Sequence, residues 1–326
     1  MNRRSQVKTL LRIAAVALTT CVPTFAAAFP DQPVRFIMPW PPGGGSDIAM
    51  RMVAEAASQK LGQPIVVVNR PGAGGTIGIR EIAEAKPDGY TVGMLGSGAV
   101  AAQYLNANAN PMSDLQNIAL FGTEPAALVA RADQPFKTLA EYVKAAQAAP
   151  GKIRNGNDQP GGASFTFMAL YERLLNVKSH KVAYGGYAPM VTALLSGEVQ
   201  TVSIAIPDVA EHHKAGKVRI LGVSGSKRHF MVPDVPTFRE QGYDAVVGSF
   251  RTIAGPKGIP ADRLAILEKA FVDAMSDPEF IARAQARGFI VEPGGAKEAQ
   301  AMCDLLDSQL YPALKDAGLV KFRQRD

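Results

Sequence analysis

Short β-branched and aliphatic runs alternate along the chain with segments whose apolar positions recur at helical spacing, and small-residue turns join the two. Val34-Arg35-Phe36-Ile37-Met38 reads as a strand stopped by Pro39. Beyond the next turn, Ile48, Met52, Val53, Ala56 and Leu61 mark one face of a helix with Ser46 or Asp47 as its N-cap. Ile65 to Val68 is an unbroken β-branched run, as expected of a parallel strand covered on both sides, and Thr76 to Ala85 is the next helix. After the turn Lys86-Pro87-Asp88-Gly89 come a strand, Tyr90 to Leu95, and a helix that Gly96-Ser97-Gly98 opens toward Leu105. This alternation predicts a parallel, helix-flanked sheet.

From Ile118 the order changes. Two short apolar segments, Ile118 to Phe121 and Ala127 to Val129, precede a helix announced by the capping box Thr138-Leu139-Ala140-Glu141. A second series follows, with strands near Ile153 to Asn155, Lys181 to Ala183, Val199 to Ile204 and Val218 to Val223, interrupted by the turns Gly161 to Ser164 and Tyr184 to Tyr187. Val246 to Ile253 returns the chain, and helices at about 262–276, 278–287 and 296–317 complete it. The pattern predicts two α/β lobes, 29–128 with 252–326 and 129–251, hinged by crossings near residues 128 and 251. A ligand crevice is expected at the carboxyl ends of the strands, where α/β sheets bind their ligands.

The first 28 residues carry Arg3, Arg4, Lys8 and Arg12, then an apolar stretch from Ile13 to Leu18 and the small residues Ala26-Ala27-Ala28. They read as a cleavable secretory signal with cleavage after Ala28, too short in its apolar part to span a bilayer. Thr20 before Cys21 fits a lipoprotein box poorly, and Gln6-Val7 continue Arg3-Arg4 weakly as a twin-arginine signal. Without the four basic residues of this segment the formal net charge of +6 falls to +2, which removes most of the electrostatic case for nucleic acid. Only Cys303 remains, so no disulfide is expected. The remaining length and mixed composition suit a soluble protein of about two domains.

The candidate chemistry lies in the turns. Pro41-Pro42-Gly43-Gly44-Gly45-Ser46-Asp47 and Arg70-Pro71-Gly72-Ala73-Gly74-Gly75-Thr76 each stand between a strand and a helix. Glycines let a ligand approach the backbone, and the first N–H groups of a helix have no intrahelical partner, so a carboxylate or phosphate is the natural guest. One such turn alone reads more simply as a tight connection; several converging ones favour a ligand grip. Neither turn has the G-x-G-x-x-G spacing or a Gly-Lys-Ser/Thr ending. No Ser has glycine at both −2 and +2, so the hydrolase elbow is missing. His180, His212, His213 and His229 form no metal motif, and Glu211-His212-His213-Lys214 reads as a solvated helix end. Paired acids such as Asp304 and Asp307 read as solvated surface. Trp40 suits either a pocket wall or the core. Arg251, alone in an apolar segment, needs a partner, either a protein carboxylate or the carboxylate of a ligand.

Several segments in order make the chain resemble the Bug, or TctC-type, extracytoplasmic receptors of tripartite tricarboxylate transporters. They are Pro39 to Asp47, Leu61 to Gly75, Lys86 to Thr91, Tyr184 to Pro189 and Pro233 to Thr237. The resemblance implies a type II periplasmic-binding-protein fold that closes on an organic carboxylate without catalysis or cofactor. It implies a periplasmic monomer that delivers its cargo to membrane permease subunits. Carried over by position, it places the ligand on Gly43, Gly44, Gly45, Ser46, Asp47, Ala73 and Gly74 of the first lobe. On the second lobe it places the ligand on Gly162, Ala163, Ser164, Tyr184, Gly186 and Tyr187. Trp40, Ser97 and Arg251 join them as candidates from the residue reading.

Many relatives read G-x-V-D-L after the second-lobe helix, with another acid three positions later. Here Gln200 and Ile204 stand instead. That departure argues against an amino-acid ligand and for a purely anionic or partly apolar one, a di- or tricarboxylate with aromatic acids included. The expectation is one carboxylate against the first-lobe turns and another near Arg251. Two alternatives remain open: a sensor that presents its loaded form to a membrane signalling protein, and a secreted hydrolase or lyase of small acids.

Overall fold

β1 (Val34–Met38) lies between β2 (Ile65–Asn69) and β3 (Thr91–Gly96), all three parallel, in a computed structural model that describes residues 29–160 and 162–325. The expected export signal with Cys21, and Gly161, lie outside the described residues. Each of these strands runs into a helix: α1 (Gly45–Leu61), α2 (Thr76–Ala83) and α3 (Ser97–Leu105). The units form because the apolar runs bury one or both strand faces: in β1 every residue except Arg35 is buried. β2 departs from expectation. It is the edge strand, with Val66 48% exposed, so its β-branched run reflects strand propensity rather than cover on both faces.

β4 (Leu115–Arg131) corrects the reading of two short apolar segments, since it is a single strand of 17 residues. Gly122-Thr123-Glu124-Pro125 look like a break in sequence, but the strand absorbs them with register irregularities beside Asn117 and Leu120 and a φ of 147° at Gly122. Its first part, through Pro125, pairs with the returning strand; from Ala126 onward its partners change. The switch falls at Pro125, where a missing N–H disturbs a ladder least.

The second series comprises α4 (Leu139–Ala148), β5 (Arg154–Asp158), α5 (Ala163–Leu174), β6 (His180–Tyr184), α6 (Tyr187–Ser196), β7 (Thr201–Ala205), α7 (Ala210–Lys214) and β8 (Val218–Val223). β7 and β8 flank the latter part of β4, both antiparallel to it, and β5 pairs in parallel with β6 and β7. The chain returns through β9 (Gly248–Pro256), which pairs antiparallel with both β3 and β4, and ends with α8 (Ala261–Met275), α9 (Pro278–Gln285), β10 (Gly294–Gly295) and α10 (Ala296–Asp316). Two halves of the sheet, β2-β1-β3-β9-β4 and β4-β7-β5-β6, thus share the long strand β4.

Separate apolar clusters fill each half. Phe36, Met50, Phe271 and Phe280 belong to the first, and Val129, Leu194, Val202 and Ile204 to the second. α10 was expected to finish the first lobe alone, but Leu306, Leu310 and Leu314 pack in one cluster with Val100 and Tyr104 of α3 and with Phe167 and Tyr171 of α5. This helix therefore laces the two halves together on one side of the sheet. Asp307 on its surface accepts from the Tyr104 hydroxyl at 2.6 Å, so it is a structural anchor rather than a solvated acid.

Candidate functional site

Six helices follow a strand and a glycine N-cap: α1 after Gly44, α2 after Gly75, α3 after Gly96, α5 after Gly162, α6 after Gly186 and α10 after Gly295. A glycine has no side chain to accept the first N–H groups, so these ends offer donors and partial positive charge to whatever lies at the turn. α4 and α9, which start elsewhere in the fold, are capped by Thr138 and Asp277 side chains.

The first-half turns meet one another. A Cβ built on Gly75 would lie 3.4 Å from the Trp40 ring, and one on Gly96 would lie 3.9 Å from it, so Trp40 is a half-buried wall between three turns. Asn69 at the end of β2 donates to the Trp40 carbonyl at 2.9 Å and to Asp47 Oδ1 at 2.8 Å, tying the second turn to the first. Gly43, Gly44, Gly45, Ala73 and Gly74 are exposed, and a Cβ on Gly43, Gly44 or Gly74 would meet nothing within 4 Å. The backbone there is open to a guest. Ala73 adopts a φ of 48°, a left-handed conformation rare for a residue with a Cβ.

Two first-half candidates have other work. Asp47 is not the N-cap: α1 begins two residues earlier, at Gly45, and the Asp47 carboxylate, 3% exposed, accepts the Gly43 N–H at 3.0 Å and Arg51 Nε at 3.0 Å. Burial draws its pKa upward, but these bonds and that from Asn69 outweigh it and hold the carboxyl below its ordinary value. Asp47 braces the turn. Ser97 is 1% exposed and its hydroxyl is buried without a hydrogen-bond partner at the start of α3.

The second half is built differently. Ser164 is fully buried and its hydroxyl donates to the Ser203 carbonyl at 2.5 Å, inside a polar network with Asn155, Asn157 and Thr201. Its backbone N–H is occupied as well, because Asp158 Oδ2 accepts it at 3.0 Å, and the Ala163 N–H also donates to this carboxylate. Tyr184 turns its hydroxyl to Glu198 at 2.8 Å. Tyr187, the first residue of α6, is half-buried, and burial together with the charges of Asp158, Glu124 and Asp208 raises its pKa well above the usual phenol value, with Arg251 opposing. Asp208 is accessible to water yet walled in by protein; burial and Glu124 push its pKa up to about 6, against Arg251.

Arg251 joins the two groups. On β9 it faces Gly96 of β3 and Gly122 of β4, its Nη2 donates to Glu124 Oε2 at 2.5 Å, and its Nε donates to the Ser46 hydroxyl at 3.1 Å. Its guanidinium lies 5.6 Å from the Phe289 ring centroid. Of the two partners left open for Arg251, the protein carboxylate is present. Glu124, Asp158 and Asp208 were all missed as site residues, although each is an acid beside a proline, a glycine turn or a strand end. Ile204 is fully buried in the apolar cluster of the second half, so its side chain belongs to the core.

What the arrangement can do is bind. The first half has open glycine backbone at its turns, the second half has the Asp158 and Asp208 carboxylates and the Tyr187 phenol, and the Arg251–Glu124 pair lies on the strands between them. Among the described residues no group of three or more His, Cys, Asp or Glu side chains is placed to hold a metal ion.

Comparison with known proteins shows the family. The family described as "Tripartite tricarboxylate transporter family receptor" (TctC) matches residues 49–311. A UPF0065 protein of Cupriavidus necator, from the gbd 5′ region, is 34% identical over 82% of this chain and 81% of its own length. The crystal structure of a TctC solute-binding protein from Polaromonas superposes with a TM-score of 0.76 at 27% identity, covering 88% of this chain and 99% of that one. MatC of Rhodopseudomonas palustris, solved with bound malate, does so with a TM-score of 0.72 at 28% identity, covering 87% and 98%. The chain belongs to the TctC family of tripartite tricarboxylate transporter receptors and has the α/β fold of its periplasmic solute-binding proteins.

Proposed function

We propose that this protein is a periplasmic receptor that captures an organic carboxylate between the two halves of its sheet and delivers it to the permease of a tripartite transporter. The halves act as lobes, hinged where β4 changes partners at Pro125 and where β9 re-enters beside it. The observation that carries the reading is the three glycine-capped helix starts beside Trp40, at Gly44, Gly75 and Gly96, with backbone open at Gly43, Gly44 and Gly74. The first-half grip is assigned to Gly44, Gly45, Ser46, Ala73 and Gly74, with Trp40 as wall; Gly43, whose N–H is taken by Asp47, shapes the turn. Malate bound to MatC supports a small organic acid, and a di- or tricarboxylate is the finer form of the proposal.

Arg251 can contribute without leaving Glu124, because its Nε and Nη2 serve Ser46 and Glu124 while its Nη1 has no hydrogen-bond partner among the described residues. Thermal shift against aliphatic and aromatic mono-, di- and tricarboxylates tests the proposal. Ligand at a hundred times its dissociation constant stabilises by about 2.7 kcal/mol, a shift of several degrees. No shift with any of these acids would refute it.

A further inference from the structure

The α5 turn was expected to receive a ligand anion, yet the chain supplies one itself. Asp158, the last residue of β5, accepts the Ser164 N–H at 3.0 Å and also the Ala163 N–H. A Cβ on Gly162 would come within 2.3 Å of the Asp158 Cβ, so the carboxylate is packed directly against the turn and leaves no room beside it. The donors that an incoming carboxylate needs at α5 are therefore already used.

The other oxygen of the same side chain is in the opposite condition. Asp158 Oδ1 is buried and has no hydrogen-bond partner. A buried acceptor without a donor is costly, on the scale of a lost hydrogen bond, and such groups in native proteins call for a specific explanation. Glu124 and Asp208 add further negative charge on the Tyr187 side of this turn, where they raise the phenol's pKa together with Asp158. A second free carboxylate of a cargo would meet the Asp158 carboxylate here, and the Arg251 guanidinium already serves Glu124.

We infer that Asp158 is a built-in anion filling the second-half seat. The cargo then keeps its ionised carboxylate groups for the first half and Arg251, and turns a hydrogen-bond donor toward Asp158 Oδ1: a hydroxyl, an ammonium or an un-ionised carboxyl. The inference rests on the crevice being the cargo site. It narrows the substrate class from organic acids at large to acids bearing a proton donor away from the gripped carboxylate, and it makes Asp158 a specificity-determining residue.

Calorimetric titration of the whole protein with matched acids tests it: succinate against L-malate and L-aspartate, and glutarate against 2-hydroxyglutarate. In the wild type, the donor-bearing member of a bound set should bind about tenfold tighter or more, the value of one hydrogen bond to a charged group. Asp158→Asn keeps an acceptor for the Ser164 amide but offers an NH2 toward the crevice, and should bring the ratio to within about twofold or reverse it. Asp158→Ser serves the same purpose if the asparagine variant does not fold, and the wild-type ratios stand without either. Equal binding within every set, or a preference that survives at Asp158→Asn or Asp158→Ser, overturns the inference while leaving the receptor reading intact. Failure of all these acids to bind overturns both.

Discussion

Arg251 on β9 and Glu124 on β4 are joined by a 2.5 Å bond between the two strands that link the halves of the sheet, with side chains only 7% and 15% exposed. A buried ion pair of this kind contributes little net stability over an apolar substitute, but removing one member strands the other's charge. The pair also fixes the guanidinium against Ser46, which carries the first-half turn. In the proposed receptor, hinge and ligand seat share this one side chain.

Arg251→Ala should destabilise the fold by about 3–5 kcal/mol by leaving Glu124 unpaired, and Arg251→Met with Glu124→Gln should recover most of that loss. Both proteins should bind the cargo acid about tenfold more weakly than the wild type, because each lacks the free Nη1 donor. Urea denaturation read beside calorimetry separates the effects. A double variant with wild-type affinity would confine Arg251 to its ion pair.

Asp208 gives a pH signature. Its folded pKa is raised to about 6, chiefly by burial and then by Glu124, above the ~3.9 of an unfolded Asp, so the folded state holds the proton more tightly. The group's contribution favours folding at low pH and turns against it as pH rises through 6. Asp208→Asn should thus raise the melting temperature at pH 7.5, and the gain should shrink as pH falls below 6 and vanish below about 3.9. A gain independent of pH in differential scanning calorimetry would contradict this.

Thr138 caps α4 through its hydroxyl, which accepts the Glu141 N–H at 3.2 Å, while Glu141 reaches back to the Thr138 N–H at 3.2 Å. Thr138→Ala should cost about 1 kcal/mol, or roughly 2–4 °C in melting temperature, without altering ligand affinity. An unchanged melting temperature would show that this helix end is held by its packing alone.

That capping box was plain in the sequence because the interaction is local, as were the strand-turn-helix units whose apolar runs are closed by glycine or proline. The glycine turns around Trp40 were legible for the same reason. What escaped depends on long-range pairing. Gly122 to Pro125 look like a loop until β9 is placed beside them, and only that pairing turns Glu124 from a loop acid into the partner of Arg251. β2 reads as central until the order of strands puts it at the edge. Asp158 was within reach: an acid ending a strand just before a glycine turn can fold back onto the helix start that the turn opens. Ile204 was read as a crevice residue from a resemblance in spacing, whereas its side chain is fully buried in the core.

Gly44 provides the most direct test of the anion seat. It is the N-cap of α1 with φ −76° and ψ 162°, a conformation open to any residue, and a Cβ there meets nothing within 4 Å. Gly44→Asp should add a favourable cap to α1 while placing a carboxylate over the amides assigned to the cargo. The account predicts a melting temperature at or above the wild type together with at least a tenfold loss of carboxylate affinity by calorimetry. Wild-type affinity in a folded Gly44→Asp protein would contradict it.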